Sequence, residues 1–301
     1  MPSHRPPLLE DHPLAPLTSW KIGGPAALFA EPGNPEELER CLETARKRGL
    51  ELFLLGGGSN VLISDRGFPG LVLRYADVAH TLEIQGSEAR ATFGARHSLA
   101  RAARTLAADG WAGLEWAEGI PGTIGGAVLG NAGAFGGEIG SSLEVARVYL
   151  PGEGVRDLPA AACEFSYRGS RFRRRGSENT VILGATFRLR RDDPARLAEL
   201  QRAYAERRRQ NTPIGLSCGS VFKNPPGDSA GRLIEQAGLR GVRCGRAEIS
   251  ARHANYIVNL GGATAQDVLE LMRRARDEVR RQHGLELELE VRLVGFPDPG
   301  L

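Results

Sequence analysis

The sequence predicts an α+β fold, or more broadly a mixed α/β one, in two or three subdomains. Three observations predict it. A capped amphipathic helix and short strands alternate over the first 75 residues, longer runs of strand character follow, and helices and strands mix again in the last third. No internal repeat is evident. At 301 residues, 41% hydrophobic and 25% charged, the chain has the composition of an ordinary globular protein and the length to bury more than one core.

The first unit, 1–75, opens its helix at Asn34-Pro35-Glu36-Glu37, with Asn34 as N-cap, Pro35 at N1 and Glu37 at N3. Leu38, Cys41, Leu42 and Ala45 share one face, and Gly49 stops the helix. Glu51 to Leu55 then reads as a buried strand running into Gly56-Gly57-Gly58-Ser59-Asn60; VLIS, the loop DRGFPG and the strand LVLRY follow. The second unit, 76–193, carries the strand-like runs TLEI, ARATF, EVARVYL and TVILGATFRLR. Its helix, Ser98 to Asp109, has Leu99, Ala102, Ala103 and Leu106 on one face. The third unit, 194–301, begins with a charged helix from Pro194 to about Gln210. A helix near Ala230 to Ala237, the strand Asn255 to Leu260 and a long helix, Thr264 to His283, come next. Thr264 is the N-cap of the long helix and Asp267 its N3 residue; Val268, Leu269, Met272 and Ala275 form its apolar side. LELELEVRLVG alternates with period 2 and predicts a half-buried final strand, 285–295, a candidate to pack on the first unit.

The run Gly119 to Gly140, GIPGTIGGAVLGNAGAFGGEIG, contains nine glycines. A core helix or strand would not spend so many, because each costs conformational entropy on folding. Backbone this bare suits close approach to an anionic or flat ligand gripped by main-chain N–H groups. GGGSN, directly after a strand, offers a second such turn. Neither follows G-x-G-x-x-G with a later acidic residue, nor G-x-x-x-x-G-K-[ST], so Rossmann and P-loop modes are excluded. Together the two runs point to one extended dinucleotide held from two sides.

LTSWKIGGPA, LLGGGSNVLISDRGFPGLVLR, GLEWAEGIPGTIGGAVLGNAGAFGGEIG, FSYRGSRF, GSVFKNP and ELEVRLVG occur in that order, spanning about Thr18 to Gly295. In these six blocks the chain resembles the UDP-N-acetylenolpyruvoylglucosamine reductases, the MurB flavoenzymes of peptidoglycan synthesis. The resemblance implies a two-part FAD-binding region of the vanillyl-alcohol-oxidase type plus a C-terminal α+β substrate domain. It implies NADPH-dependent reduction of a UDP-linked enolpyruvyl sugar through FAD. The alternative kept open is an FAD-dependent oxidase of the same fold acting on another small alcohol or sugar.

By the same resemblance, Ser220 is the general acid that protonates the substrate α-carbon, Arg168 the active-site arginine and Glu290 the terminal glutamate. Periodicity does not choose among Glu286, Glu288 and Glu290, which alternate on one polar face; only the E-V-R position selects Glu290. Hydride addition to an enolpyruvate leaves charge on the α-carbon and carboxylate, so a cation and one placed proton donor are required. Tyr167, Lys223, Asn224 and His253 match substrate-binding positions. Lys223 is one of only three lysines, with Lys21 and Lys47. The flavin positions are Lys21, Ile22, Gly23 and Gly24; Gly56, Gly57, Gly58, Ser59 and Asn60; Ile120, Pro121, Gly122, Thr123, Gly125, Gly126 and Ala127; and Asn131 and Ala132. No histidine lies in these flavin blocks, so non-covalent FAD is expected. Leu216 and Cys218 depart from the usual PSAGSVFKNP run, and the direct passage between Arg175 and Thr180 resembles the short family variant, without a Tyr-bearing substrate loop.

Net charge is +3, too mild to imply nucleic acid. Four scattered cysteines with no C-x-x-C pair fit reduced thiols, and neither a disulfide frame nor a metal site is expected. The Pro-rich N-terminus has no long apolar run, so a soluble cytoplasmic protein with no membrane partner is expected. Oligomeric state is left open.

Overall fold

The computed structural model describes residues 7–174, 176, 179–298 and 300. The passage between Arg175 and Thr180 therefore lies partly outside the described residues. The chain forms two compact units. The first takes in Ala30–Gly57 and Leu71–Arg208, the second Leu9–Phe29, Gly58–Gly70 and the chain from Arg209 on.

In the first unit, helix Pro35–Arg48 starts where its cap predicts: the Asn34 side chain accepts from Glu37 N, and Gly49 closes the helix at φ 62°. Leu38, Cys41 and Ala45 are its buried stripe. Strand Leu52–Leu54 runs parallel to Leu71–Leu73. The larger sheet is antiparallel, in the order Gly154–Pro159, Leu143–Leu150, Val181–Arg191, Glu88–Gly94, His80–Gln85. Period-2 burial puts Ala89, Ala91 and Phe93 inward while Glu88, Arg90 and Thr92 face out. Helix Leu99–Ala108, capped by Ser98, buries Leu99, Ala102, Ala103 and Leu106 in the same core as Phe93, Ile124 and Phe187. Leu197 is buried, and Gln201 Nε2 donates to Ala103 O at 3.0 Å. Both come from the charged helix Pro194–Asn211, which through Arg208 therefore belongs to this unit.

One departure falls inside the glycine-rich run. Composition argues against a helix there, yet Ile124–Gly130 is one. Thr123 caps it, Asn131 ends it at φ 44°, and Ile124, Ala127 and Val128 bury a stripe at helical spacing. Glycine costs a helix about 1 kcal/mol relative to alanine. Packing explains its use at Gly125, where a Cβ would lie 3.0 Å from the Ala95 Cβ.

In the second unit, Leu9–Pro13 pairs antiparallel with residues 25–29, and Val61–Ile63 pairs parallel with the terminal strand Arg292–Val294. Arg243–Cys244, Ala247–Ile249 and Ile257–Asn259 form a small antiparallel sheet. Helix Ala230–Gln236 and helix Ala265–His283 pack in a core that includes Trp20, Leu62, Phe222, Leu233, Val268 and Met272. The Thr264–Asp267 capping box is present as the sequence indicates. Asp65, two hundred residues earlier, adds its carboxylate to Ala265 N at 2.8 Å and Gln266 N at 3.2 Å. The first three helical N–H groups are thus all bonded to side chains.

The second departure is the final strand. Alternation holds, with Leu287 and Val291 buried and Glu286 and Glu288 exposed, but regular strand covers only Arg292–Val294. The preceding residues pair with a short loop segment instead. Lys223 N donates to Glu288 O at 2.8 Å, Glu290 N donates to Val221 O at 2.9 Å, and Phe222 bridges Leu289.

No described helix is long and apolar enough to cross a membrane, and the described residues hold no cluster of three metal-ligating side chains. All four cysteines are free; burial pushes Cys41 and Cys163 up to about 11.

Candidate active site

The two glycine runs meet in the first unit. A Cβ on Gly57 would sit 2.9 Å from the Gly122 Cα, and one on Gly56 would sit 3.1 Å from Thr123 Oγ1. Bare backbone is needed at Gly56 and Gly57 because Gly122 and Thr123 are their wall. Among the described residues, no protein acceptor takes the N–H of Gly56, Gly57, Gly122 or Thr123. These donors and the shallow wall suit a diphosphate. The helix that follows contributes less than expected. Ile124 N donates to His97 O and Gly125 N to Ala95 O, both at 2.9 Å, and Gly126 N reaches the Thr123 hydroxyl at 3.4 Å. Ile120, Pro121, Gly126 and Ala127 lie on either side of this wall, with Gly126 exposed and Ala127 buried.

The later glycines of the run serve the protein itself. A Cβ on Gly137 would press onto the Trp116 ring at 2.4 Å, and one on Gly140 would lie 3.0 Å from the Phe165 ring. Asn131, expected among the flavin contacts, is 1% exposed, and its amide is used at both ends: Nδ2 donates to Ser166 O and Oδ1 accepts from Gly140 N, each at 3.0 Å. Ala132 N closes back on Ala127 O.

Tyr167 and Arg168 form the tip of a two-residue turn in which Ser166 and Gly169 exchange backbone hydrogen bonds at 3.0 Å. Arg168 has φ 53°, Tyr167 is 55% exposed, and the guanidinium lies 5.5 Å from the tyrosine ring centroid. Arg168 Nη1 donates to Gly133 O at 3.0 Å.

In the second unit, three of the sequence blocks meet. Asn60 Nδ2 donates to Glu290 O at 3.1 Å, and Arg292 N donates to Asn60 O. Glu290 N in turn donates to Val221 O, the residue after Ser220. The Ser220 hydroxyl is half-buried and has no hydrogen-bond partner among the described residues. Cys218 is buried beside this group; burial and then the Glu290 carboxylate hold its thiol well above the ordinary value. Its reactivity is correspondingly low. Lys223 pairs with Glu288.

Other candidates in this unit are taken up by structure. Asn224 Oδ1 accepts from Ala230 N at 3.1 Å and so braces the start of helix Ala230–Gln236. His253 Nδ1 accepts from Asn255 N at 3.3 Å, and its ring packs on Gly231, where a Cβ would sit 2.9 Å from Cε1. Burial lowers the His253 pKa and favours the neutral ring. Lys21, at φ 58°, donates to Pro16 O, while Ile22 is buried. A Cβ on Gly23 would meet the Ile63 Cβ at 2.9 Å and one on Gly24 the Asp65 O at 2.3 Å. Gly58, at φ 65°, lies against Leu17 O, and Ser59 is half-buried after it.

The sequence does not single out Asn255. It is 3% exposed and clamps the Ser220 segment: Oδ1 accepts from Phe222 N at 2.9 Å and Nδ2 donates to Phe222 O at 2.8 Å. Asn259 does the same for the Lys21 turn, donating to Trp20 O while Trp20 Nε1 donates to Ile257 O. An asparagine at each end of the apolar NYIVN strand is the one signal that points to them.

Residues 210–294 match the family described as UDP-N-acetylenolpyruvoylglucosamine reductase, C-terminal domain, and residues 26–157 match an FAD binding domain. A protein of Chloroflexus aggregans named UDP-N-acetylenolpyruvoylglucosamine reductase is 47% identical over 95% of this chain and 97% of its own. One of the same name from Rubrobacter xylanophilus is 45% identical over 95% of each. The crystal structure of UDP-N-acetylenolpyruvylglucosamine reductase (MurB) from Thermus caldophilus superposes with a TM-score of 0.81 at 34% identity, covering 96% of this chain and 99% of that one.

Proposed function

The chain belongs to the UDP-N-acetylenolpyruvoylglucosamine reductase family of FAD-dependent oxidoreductases, and from that premise we propose that it reduces UDP-N-acetylglucosamine enolpyruvate to UDP-N-acetylmuramate. NADPH supplies the electrons, and the product serves peptidoglycan synthesis. The wall formed by Gly56, Gly57 and Gly122, with its open N–H donors, fits the FAD diphosphate. Held there, FAD would supply the hydride chemistry that links NADPH to the β-carbon of the enolpyruvyl group. No histidine belongs to the flavin segments, which supports non-covalent attachment.

The residues of the chain handle the charge and the proton. Hydride arrival at the β-carbon places an electron pair on the α-carbon, delocalised into the carboxylate. Arg168 opposes that charge; its planar guanidinium suits a carboxylate edge. Ser220 delivers the proton to the α-carbon, completing addition of one hydride and one proton across the double bond. A serine is a weak acid in water, so transfer must be concerted with charge build-up beside it. Glu290 sits on the adjacent segment and supports the hydroxyl during transfer. Lys223 and Tyr167 contribute to substrate binding, Lys223 by exchanging Glu288 for a substrate anion. Asn224 and His253 act by bracing the walls.

The observation that carries this reading is the meeting of Asn60, Glu290 and the Ser220 segment through the Asn60–Glu290 and Glu290–Val221 hydrogen bonds. One end of the glycine loop, the proposed acid and the proposed glutamate thereby share neighbouring backbone. The test is anaerobic: protein reduced with NADPH is mixed with UDP-N-acetylglucosamine enolpyruvate, and the flavin absorbance is followed. Prompt return of the oxidised spectrum is expected. A flavin that stays reduced refutes the assignment.

A further inference from the structure

Three side-chain contacts join the glycine-rich run to the turn that carries Arg168, and they are evenly spaced. Ser170 Oγ donates to Leu129 O at 2.7 Å, Asn131 Nδ2 donates to Ser166 O at 3.0 Å, and Arg168 Nη1 donates to Gly133 O at 3.0 Å. Residues 129, 131 and 133 thus hold residues 170, 166 and 168. Asn131 and Ser170 are 1% and 4% exposed, so the side chains that make two of these contacts are shielded from water. The Asn131 amide is fully oriented, because its oxygen accepts from Gly140 N while its nitrogen faces a carbonyl. Arg168 itself is held at φ 53°, a backbone state uncommon for arginine.

We propose that Asn131 and Ser170 are positioning residues for Arg168: they latch the Ser166–Gly169 turn onto the glycine-rich segment, so that the wall holding the flavin diphosphate also sets where the guanidinium meets the substrate carboxylate. This rests on the reading of Arg168 given above. It assigns the Asn131 side chain to the turn and away from the cofactor. It also explains why an asparagine ends helix Ile124–Gly130 where glycine is the commoner residue. Asparagine accepts the left-handed conformation and brings a donor and an acceptor that glycine lacks.

Asn131→Gly removes the Asn131 half of the latch, leaving the Ser170–Leu129 contact, and keeps the backbone conformation. Three measurements follow. In the apo-protein, amide exchange at Ser166 and Gly169 is expected to accelerate about tenfold or more, since those two N–H groups close the turn. FAD affinity and the rate of flavin reduction by NADPH are expected to stay within about twofold, because the phosphate wall is untouched. Reoxidation by the enolpyruvyl substrate is expected to fall about 10- to 100-fold, as for a displaced catalytic group. In an Arg168→Ala background the same change should lower reoxidation no further. Ser170→Ala provides the parallel comparison if Asn131→Gly folds poorly. Unchanged exchange, loss of FAD binding, or an equal fall with and without Arg168 would each overturn the proposal. If Arg168→Ala alone reoxidises at the parent rate, the reading of Arg168 has failed, and the exchange experiment still decides whether the latch exists.

Discussion

Gly57→Ala is the sharpest test of the cradle. Gly57 has no left-handed backbone to protect, so alanine meets no conformational penalty. The obstacle is steric. The new Cβ would lie 2.9 Å from the Gly122 Cα, 3.4 Å from its carbonyl carbon and 3.5 Å from Thr123 Cγ2. The first contact is with backbone, so no side chain can rotate away. The two runs must part by several tenths of an ångström, and overpacking of this kind costs about 1–3 kcal/mol. If the strain falls on the diphosphate wall, FAD affinity drops by about 5- to 150-fold, at 1.4 kcal/mol per factor of ten. Fluorescence titration of apo-protein with FAD reads this directly, and a melting curve of the apo-protein reports strain in the fold. Gly130→Ala is the control. It stands mid-way along the Gly119–Gly140 run, at the end of helix Ile124–Gly130, and its new methyl would meet nothing within 4 Å. It should bind FAD as the parent does and gain up to about 1 kcal/mol of stability. Parent-like FAD affinity and melting in Gly57→Ala would refute the cradle as drawn.

Ser220→Ala should leave flavin reduction by NADPH near the parent rate and slow reoxidation by substrate about 10²- to 10⁴-fold, the usual range for loss of a proton donor; stopped-flow of the two half-reactions separates them, and equal losses would argue against an acid role. Asp65→Ala removes the acceptor for Ala265 N and Gln266 N and should cost about 0.5–2 kcal/mol by chemical denaturation, as loss of an N-cap does. His253 and His97 are both held below 6.5 by burial, so the folded state prefers neutral rings. Their contribution is complete above pH 6.5 and is lost as pH falls through the folded values, so stability should decline on acidification below about 6.5. His253→Gln should flatten that decline; an unchanged slope would show that His253 does not contribute.

Helix ends were legible in the sequence wherever the determinant was local. Asn34 with Glu37, Ser98, and Thr264 with Asp267 each lie within three residues of the N–H group they serve. The terminal strand, a candidate from its alternation to pack on the first 75 residues, does pair there, with Val61–Ile63. What the sequence hid was set by distant partners: which strand receives Arg292–Val294, and the grouping of Leu9–Phe29 and Gly58–Gly70 with the C-terminal part, depend on contacts between segments far apart in the chain. The alternation in LELELE was visible, but its partner is the loop 221–223, too short to make a regular ladder. Glu290 differs from Glu286 and Glu288 in being half-buried and tied through its backbone to Asn60 and Val221, which periodicity cannot see.

The glycine-rich run shows the limit most clearly, because one residue type there answers several separate demands. Gly122 lies against Gly57, while Gly125 gives way to Ala95, Gly137 to the Trp116 indole and Gly140 to the Phe165 ring. Only the first of these concerns the proposed cofactor wall. The density of glycine therefore reflects a segment crowded from several sides, and ligand contact accounts for part of it. That crowding has a functional consequence. A segment packed so closely against Trp116, Ala95 and Phe165 has little freedom to shift, and Leu129, Asn131 and Gly133 pass that rigidity to the turn carrying Arg168. A long, flexible arginine side chain is a poor instrument for recognising a carboxylate unless its root is fixed. Here the root is fixed by the same backbone that lines the proposed cofactor wall, so a change that loosens the run should disturb flavin binding and substrate reduction to different degrees, according to which neighbour it frees.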